Sequence, residues 1–351
     1  MKTKIIKIDT DNFVADDLNE AADILRNGGL VAFPTETVYG LGANAMDNEA
    51  SKKIYKAKGR PSDNPLIVHI AHMEDMEVLV EEVPEMAYRL AEVFWPGPLT
   101  IILKKKESVP NETTGGLNTV AIRLPANRIA RELISLSGVY VAAPSANISG
   151  KPSPTRAEHV INDLMGRIDM ILDGGKATLG LESTIVDLSE GQPMILRPGC
   201  ITQEMLENVI GPIEYDPAIV GKAPNRDIKP KAPGMKYRHY APEGSLTIYS
   251  GEIHDVINAI NSAAKQMCEN GNRVGIISTE ETKNYYHYGL VKTIGSRKDE
   301  ASIAAGLYAI LRDFDELHME YIYTESFAEN YFGQAIMNRL LKAAGYQLIQ
   351  V

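Results

Sequence analysis

Several short segments place polar and charged side chains where an apolar run gives way to a turn, and ligand groups in α/β folds gather at such points. Phe33 leads into Pro34-Thr35-Glu36-Thr37-Val38-Tyr39-Gly40-Leu41-Gly42, which reads as a polar, glycine-containing turn. Lys56-Ala57-Lys58-Gly59-Arg60-Pro61-Ser62-Asp63-Asn64-Pro65 closes a helix with cations. Lys56 there complements the helix dipole. Arg60 lies past the glycine on a proline-flanked loop and is placed to offer its fork to phosphate or carboxylate. His69 sits on the apolar run Leu66–Ile70, as a core residue or a site residue. Arg123 interrupts the run Val120–Leu124, where a charge is costly unless paired, so a bound anion or an internal carboxylate is implied. The stretch from Ala142 to Ser153 carries Ser145, Asn147, Ser149, Gly150 and Ser153 ahead of a helix, which reads as an anion cradle or a capping loop. Glu182-Ser183-Thr184 and Leu196-Arg197-Pro198-Gly199 add hydroxyls and a further arginine at strand edges.

Other chemistries lack their signatures. Lys176 follows Gly174-Gly175, but Met170 stands where a phosphate-binding P-loop needs its first glycine. His69 and His72 are three apart, without the His-Glu-x-x-His zinc pattern. Gly40 to Ala45 matches G-x-G-x-x-A, yet the segment Pro34 to Thr37 stands between strand and glycine, which argues against a nicotinamide site. Cys200 and Cys268 show no Cys-x-x-Cys spacing, consistent with a reducing cytoplasm. Nucleophile elbows and paired catalytic carboxylates are missing as well. What remains, rich in Arg, Lys, Ser and Thr, suits binding of phosphates and carboxylates and catalysis by positioning and charge neutralisation.

These residues need an α/β frame. Apolar runs at Leu30–Phe33, Leu66–Ile70, Leu99–Leu103, Val120–Leu124, Val139–Ala143, Met170–Leu172, Thr184–Leu188 and Met194–Leu196 predict strands. Helical periodicity covers Asp17–Asn27, Glu49–Lys58, Glu85–Phe94, Arg128–Leu136, Arg156–Leu164 and Thr202–Val209. We divide the chain into a catalytic domain at 1–211, a proline-rich basic linker at 212–244 and an α/β domain at 245–351. Between residues 222 and 238 the linker sets Lys222, Arg226, Lys229, Lys231, Lys236 and Arg238 against Asp227 alone. The last domain alternates strands Leu246–Tyr249, Val274–Ile277 and Tyr321–Tyr323 with helices Asp255–Cys268, Ala301–Phe314 and Ala335–Ala344, which suggests a small parallel, Rossmann-like sheet. The 351 residues carry a net charge of −10, which argues against a nucleic-acid-coating role. No apolar stretch approaches a membrane span.

Taken in order, PTETVYGLG, KAKGRPSDNPL, WPGPLT, AIRLP, PSANISG, ESTIVD and LRPG resemble the YrdC-like threonylcarbamoyl-adenylate synthase family, and the trailing domain resembles its longer, two-domain form. The resemblance implies a twisted mixed sheet in the first domain and a nucleotidyltransferase reaction. L-threonine, bicarbonate or CO2 and ATP give threonylcarbamoyl-AMP and pyrophosphate, with Mg2+ held largely by ATP and no separate protein metal site. The product is passed to transferase proteins that modify tRNA beside the anticodon, with weak or no direct tRNA binding expected, in the cytoplasm. By the same resemblance, Thr37, His69, Arg123, Ala143 and Ser183 form the threonine pocket. Arg60, Asn64, Thr119, Ser145, Ser153 and Arg197 form the ATP set, with Tyr237 and His239 of the linker folding over it as a lid. Lys58 and Arg60 are the catalytic cations. An RNA-binding module is the rival reading, though aromatic residues do not interleave with the cations of the first domain.

Overall fold

The computed structural model describes residues 2–217, 231–232, 240–328 and 332–351. Tyr237, His239 and all the linker charges named above except Lys231 lie outside the described residues. The chain divides into two compact units, the first spanning 1–149, 153–178 and 182–236, the second 150–152, 179–181 and 237–351.

In the first unit a mixed sheet runs in the order Val31–Phe33, Gly40–Asn44, Val141–Ala142, Ile67–His69, Thr119–Arg123, Leu99–Lys104, Thr184–Asp187 and Met194–Arg197. Met170–Asp173 and then Lys4–Lys7 extend one edge, and Glu214–Tyr215 extends the other. The two-residue period of the strands sorts its side chains. Val68, Ile101, Ile122 and Val186 face the main core. Ile67, Ile102, Ala121, Ile185 and Leu196 lie on the other face, where Ala232 of the linker is buried against them.

Helix Asn48–Lys58, which delivers Lys58, is specified at both ends. The Asp47 carboxylate accepts the Glu49 N–H at 2.8 Å, and Gly59 stops the helix at φ 62°, a left-handed turn that glycine adopts without steric cost.

Two expectations are corrected. Gly40–Asn44 is a strand antiparallel to Val31–Phe33, not a turn, which leaves no phosphate loop at that glycine pattern. Its glycine serves packing, since a Cβ at Gly42 would stand 2.8 Å from the Phe33 ring and 2.8 Å from Val141. The segment read as an unstructured linker begins with strand Glu214–Tyr215, parallel to Met194–Arg197.

The second unit carries five parallel strands among the described residues, in the order Leu290–Thr293, Val274–Ser278, Tyr321–Glu325, Ser245–Ser250, Leu348–Gln350. Helices Ile253–Glu269, Glu300–Glu316 and Gly333–Ala343 lie between them in sequence. The parallel α/β class holds. Numbered along the chain the strand order is 3-2-4-1-5, against 3-2-1-4-5 in dinucleotide-binding sheets.

Candidate active site

On the sheet face opposite the main core, His69 and Arg123 are ladder partners on adjacent parallel strands. Arg123 is 4% exposed and its guanidinium is held on three sides. Nε donates to the Gly97 carbonyl at 3.2 Å, Nη1 donates to Thr37 Oγ1 at 2.9 Å, and Nη2 donates to the Glu36 carboxylate. The second N–H of each terminal nitrogen is left over, because a guanidinium carries five donors. The internal carboxylate that Arg123 requires is therefore Glu36, buried between Thr35 and Thr37. Burial pushes the Glu36 carboxyl up, but the charge and hydrogen bond of Arg123 outweigh it and hold the group below its ordinary range. Thr35 folds the loop back on itself, its hydroxyl lying 2.8 Å from that of Thr37 and donating to the Val38 carbonyl at 2.6 Å.

Burial, reinforced by the Arg123 charge, lowers His69 to about 3, so its imidazole is neutral. Its Nδ1 lies 3.1 Å from the Ile67 carbonyl, and its ring meets Phe33 edge-on at 6.3 Å. Ala143 is buried next to this strand and donates its N–H to the same Ile67 carbonyl at 2.8 Å.

A second cluster joins Ser183 and Arg197. Arg197 Nε donates to the Ser183 carbonyl at 2.9 Å and Nη2 to its hydroxyl at 3.0 Å, while Thr100 Oγ1 lies 2.7 Å from that hydroxyl. Ser153 donates to Glu182 at 2.6 Å.

The loop from Pro144 to Ser149 is stitched to the Tyr39–Leu41 segment. Leu41 donates to the Pro144 carbonyl at 2.8 Å and Ala146 to that of Tyr39 at 2.8 Å. Lys58, 1% exposed, sends its ammonium into this loop, to the carbonyls of Ser145 and Asn147. Ser145 in turn donates to Asn147 Oδ1. Arg60 turns its guanidinium onto the carbonyls of Asn64 at 3.3 Å and Pro65 at 3.0 Å. Asn64 Oδ1 is a buried acceptor with no partner among the described residues, an arrangement that is costly until a donor arrives. Thr119 opens the strand that ends at Arg123, so four residues of extended chain, roughly 13 Å, separate the two.

The predicted residues thus gather into a Thr37–Arg123–His69 group, a Ser183–Arg197 group and a Lys58–Ser145 loop, with Arg60 bound to Asn64. Glu36, Thr100, Glu182 and Asn147 are partners that the sequence reading did not assign. Glu36 had one sequence signal, a carboxylate between two hydroxyls directly after a strand. The Trp95-Pro96-Gly97-Pro98 corner also contributes, through the Gly97 carbonyl on Arg123. Among the described residues no group of three or more His, Cys, Asp or Glu converges as a metal cage does. No described helix is long and apolar enough to cross a membrane.

Two family models match the chain. One, described as telomere recombination and covering the Sua5, YciO and YrdC proteins, spans residues 23–199, and one described as the C-terminal domain of threonylcarbamoyl-AMP synthase spans 201–345. The chain is 50% identical to the threonylcarbamoyl-AMP synthase of Pyrococcus abyssi over 94% of its own length and 95% of that protein. It is 49% identical to the Bacillus subtilis protein of that name over the full length of both. A crystal structure of P. abyssi Sua5 complexed with L-threonine superposes with a TM-score of 0.94 at 48% identity, covering 99% of this chain and 100% of that one.

Proposed function

The chain belongs to the threonylcarbamoyl-AMP synthase family, and from that premise we propose that it condenses L-threonine, bicarbonate or CO2 and ATP into threonylcarbamoyl-AMP and pyrophosphate. The observation that carries this reading is the guanidinium of Arg123 fixed against Thr37 beside the neutral imidazole of His69. Its two leftover N–H groups suit the carboxylate of an amino acid. Thr37, His69 and Ser183, with the backbone at Ala143, supply the neutral polar lining for a threonine side chain and amine.

The nucleotide is assigned to Arg60, Asn64, Thr119, Ser145, Ser153 and Arg197. The partnerless Oδ1 of Asn64 supports this, because it is a buried acceptor waiting for a ligand N–H or O–H. Lys58 holds the Ser145–Asn147 turn and adds positive charge beneath it, and Arg60 and Arg197 complete the cationic set for the phosphates. Tyr237 and His239 are assigned to a cover over the nucleotide. That assignment is consistent with Ala232, a few residues earlier, being buried on the site-bearing face.

The chemistry needs no covalent enzyme intermediate. The threonine amine adds to CO2, giving a carbamate and releasing a proton. A carbamate oxygen then bonds to the α-phosphorus while the bond to the β-phosphate oxygen breaks, and the electron pair leaves on pyrophosphate. The side chains contribute position and charge neutralisation. Mg2+ would supply further neutralisation on the nucleotide's own phosphates. The labile product is assigned to transferase proteins acting on tRNA, in the cytoplasm, where the thiols of Cys200 and Cys268 would stay reduced.

Incubation of the full chain with ATP, threonine and bicarbonate, followed by mass detection, tests the reading. The adenylate should appear, and omitting bicarbonate should abolish it. Normal threonine- and bicarbonate-dependent ATP–pyrophosphate exchange by Arg60→Ala would remove Arg60 from its role.

A further inference from the structure

A cavity of about 760 Å³ opens in the first unit between helix Asn19–Arg26, helix Asn48–Lys58 and the turn before strand Met170–Asp173. None of the residues assigned above to threonine or ATP lines it. Its size falls in the range of small-molecule sites. Ile24, Leu30 and Ala57 provide apolar lining. Gly29 keeps it open, because a Cβ there would stand 2.5 Å from Ile24 and 3.1 Å from Asp169, both of which line it.

The charges around it are unequally satisfied. On the acidic side, Glu20 is paired with Lys4, Asp23 with Arg26, and Asp169 accepts the Leu30 N–H at 2.8 Å. On the basic side, Lys53 gives one donor to the Gly28 carbonyl at 2.7 Å, and Arg167 makes one long contact, 3.4 Å, with the Ala57 carbonyl. The Lys56 ammonium has no hydrogen-bond or ion-pair partner among the described residues. The acids are engaged by neighbours while the cations keep donors in hand, so an occupant with an anionic head is favoured, and the lining asks for an apolar body.

We propose that this cavity binds a small organic anion, a carboxylate or phosphate monoester carried on a hydrocarbon or aromatic group, at a site separate from the substrate site. Lys53, Lys56 and Ala57 stand at spacings of three and four on one helix face. Lys58, at the end of the same helix, reaches the Ser145–Asn147 loop. Occupancy therefore acts on the helix that carries a proposed substrate-site cation.

Fluorescence titration of the full chain with anilinonaphthalene sulfonate, an aromatic monoanion, tests the site without reference to adenylate formation. Saturable emission with one site per chain is expected, unchanged by saturating ATP and threonine. Lys56→Glu, an exposed change that leaves the core intact, should weaken it about tenfold, the worth of one charge-assisted hydrogen bond. Ala57→Leu, which fills the cavity, should weaken it further. Displacement by phenyl phosphate or phenylacetate supports the assignment and ranks the two head groups. Wild-type affinity in Lys56→Glu, or displacement of the probe by ATP with threonine, overturns it.

Discussion

Arg123 and Glu36 form one buried pair that bears on stability and on the proposed site. Each is nearly inaccessible to water, and each would be costly to bury alone. Removing the guanidinium strands the carboxylate, so Arg123→Ala should lower unfolding free energy by roughly 3 to 5 kcal/mol as well as abolish threonine-dependent turnover. Glu36 titrates below its ordinary range, so the pair's stabilisation is present above that range and lost as pH falls through the depressed value. Urea unfolding followed from neutral to acid pH should therefore show an acid limb that Glu36→Gln flattens; identical limbs in the two proteins would refute the linkage. His69 acts in the same direction. Lowered to about 3 from 6.5, it is neutral in both folded and unfolded chains above that range, and between the two values only the unfolded chain takes the proton, so stability drops as pH falls. Threonine affinity measured calorimetrically should show no step near pH 6.5, and a step that vanished in His69→Gln would count against a neutral imidazole.

Elements hold these residues by close approach. Gly42 lets strand Gly40–Asn44 pass under Phe33, whose ring also meets His69. Gly42→Ala should cost about 1 to 3 kcal/mol by overpacking, and Phe33→Leu should recover part of that in a double-mutant cycle read by urea midpoints. Plain additivity would show that the ring is not what excludes the methyl. The same strand shows where the sequence is legible and where it is not. Continuous apolar runs such as Leu99–Lys104 announce themselves, whereas glycines 40 and 42 look like a turn because nothing local says that a ring lies above them. Lys4–Lys7, Leu290–Thr293 and Leu348–Gln350 were missed because these short edge strands carry little buried surface and are defined by the ladder beside them. The site divides similarly. That Arg123 needs a counter-charge is written in its apolar neighbours, but Glu36 lies 87 residues away, and no pattern of spacing connects them.

At the scale of the molecule, the net charge of −10 acquires a location. Lys58, Arg60, Arg123 and Arg197 are 1%, 8%, 4% and 5% exposed, each with a hydrogen bond to a protein oxygen. Proposed here as groups for a small ligand, they are too buried to contribute much to a surface that could release counterions from RNA. The remaining surface is acidic in sum. A strong polyanion footprint would then have to come from the linker cations, too few to offset that balance. Fluorescence anisotropy with labelled tRNA should accordingly give a dissociation constant weaker than about 10 µM at physiological salt, at the weak end of non-specific binding. Tighter binding with a steep salt slope, lost when Lys222, Arg226 and Lys229 are changed together to Ala, would instead make the linker an RNA contact.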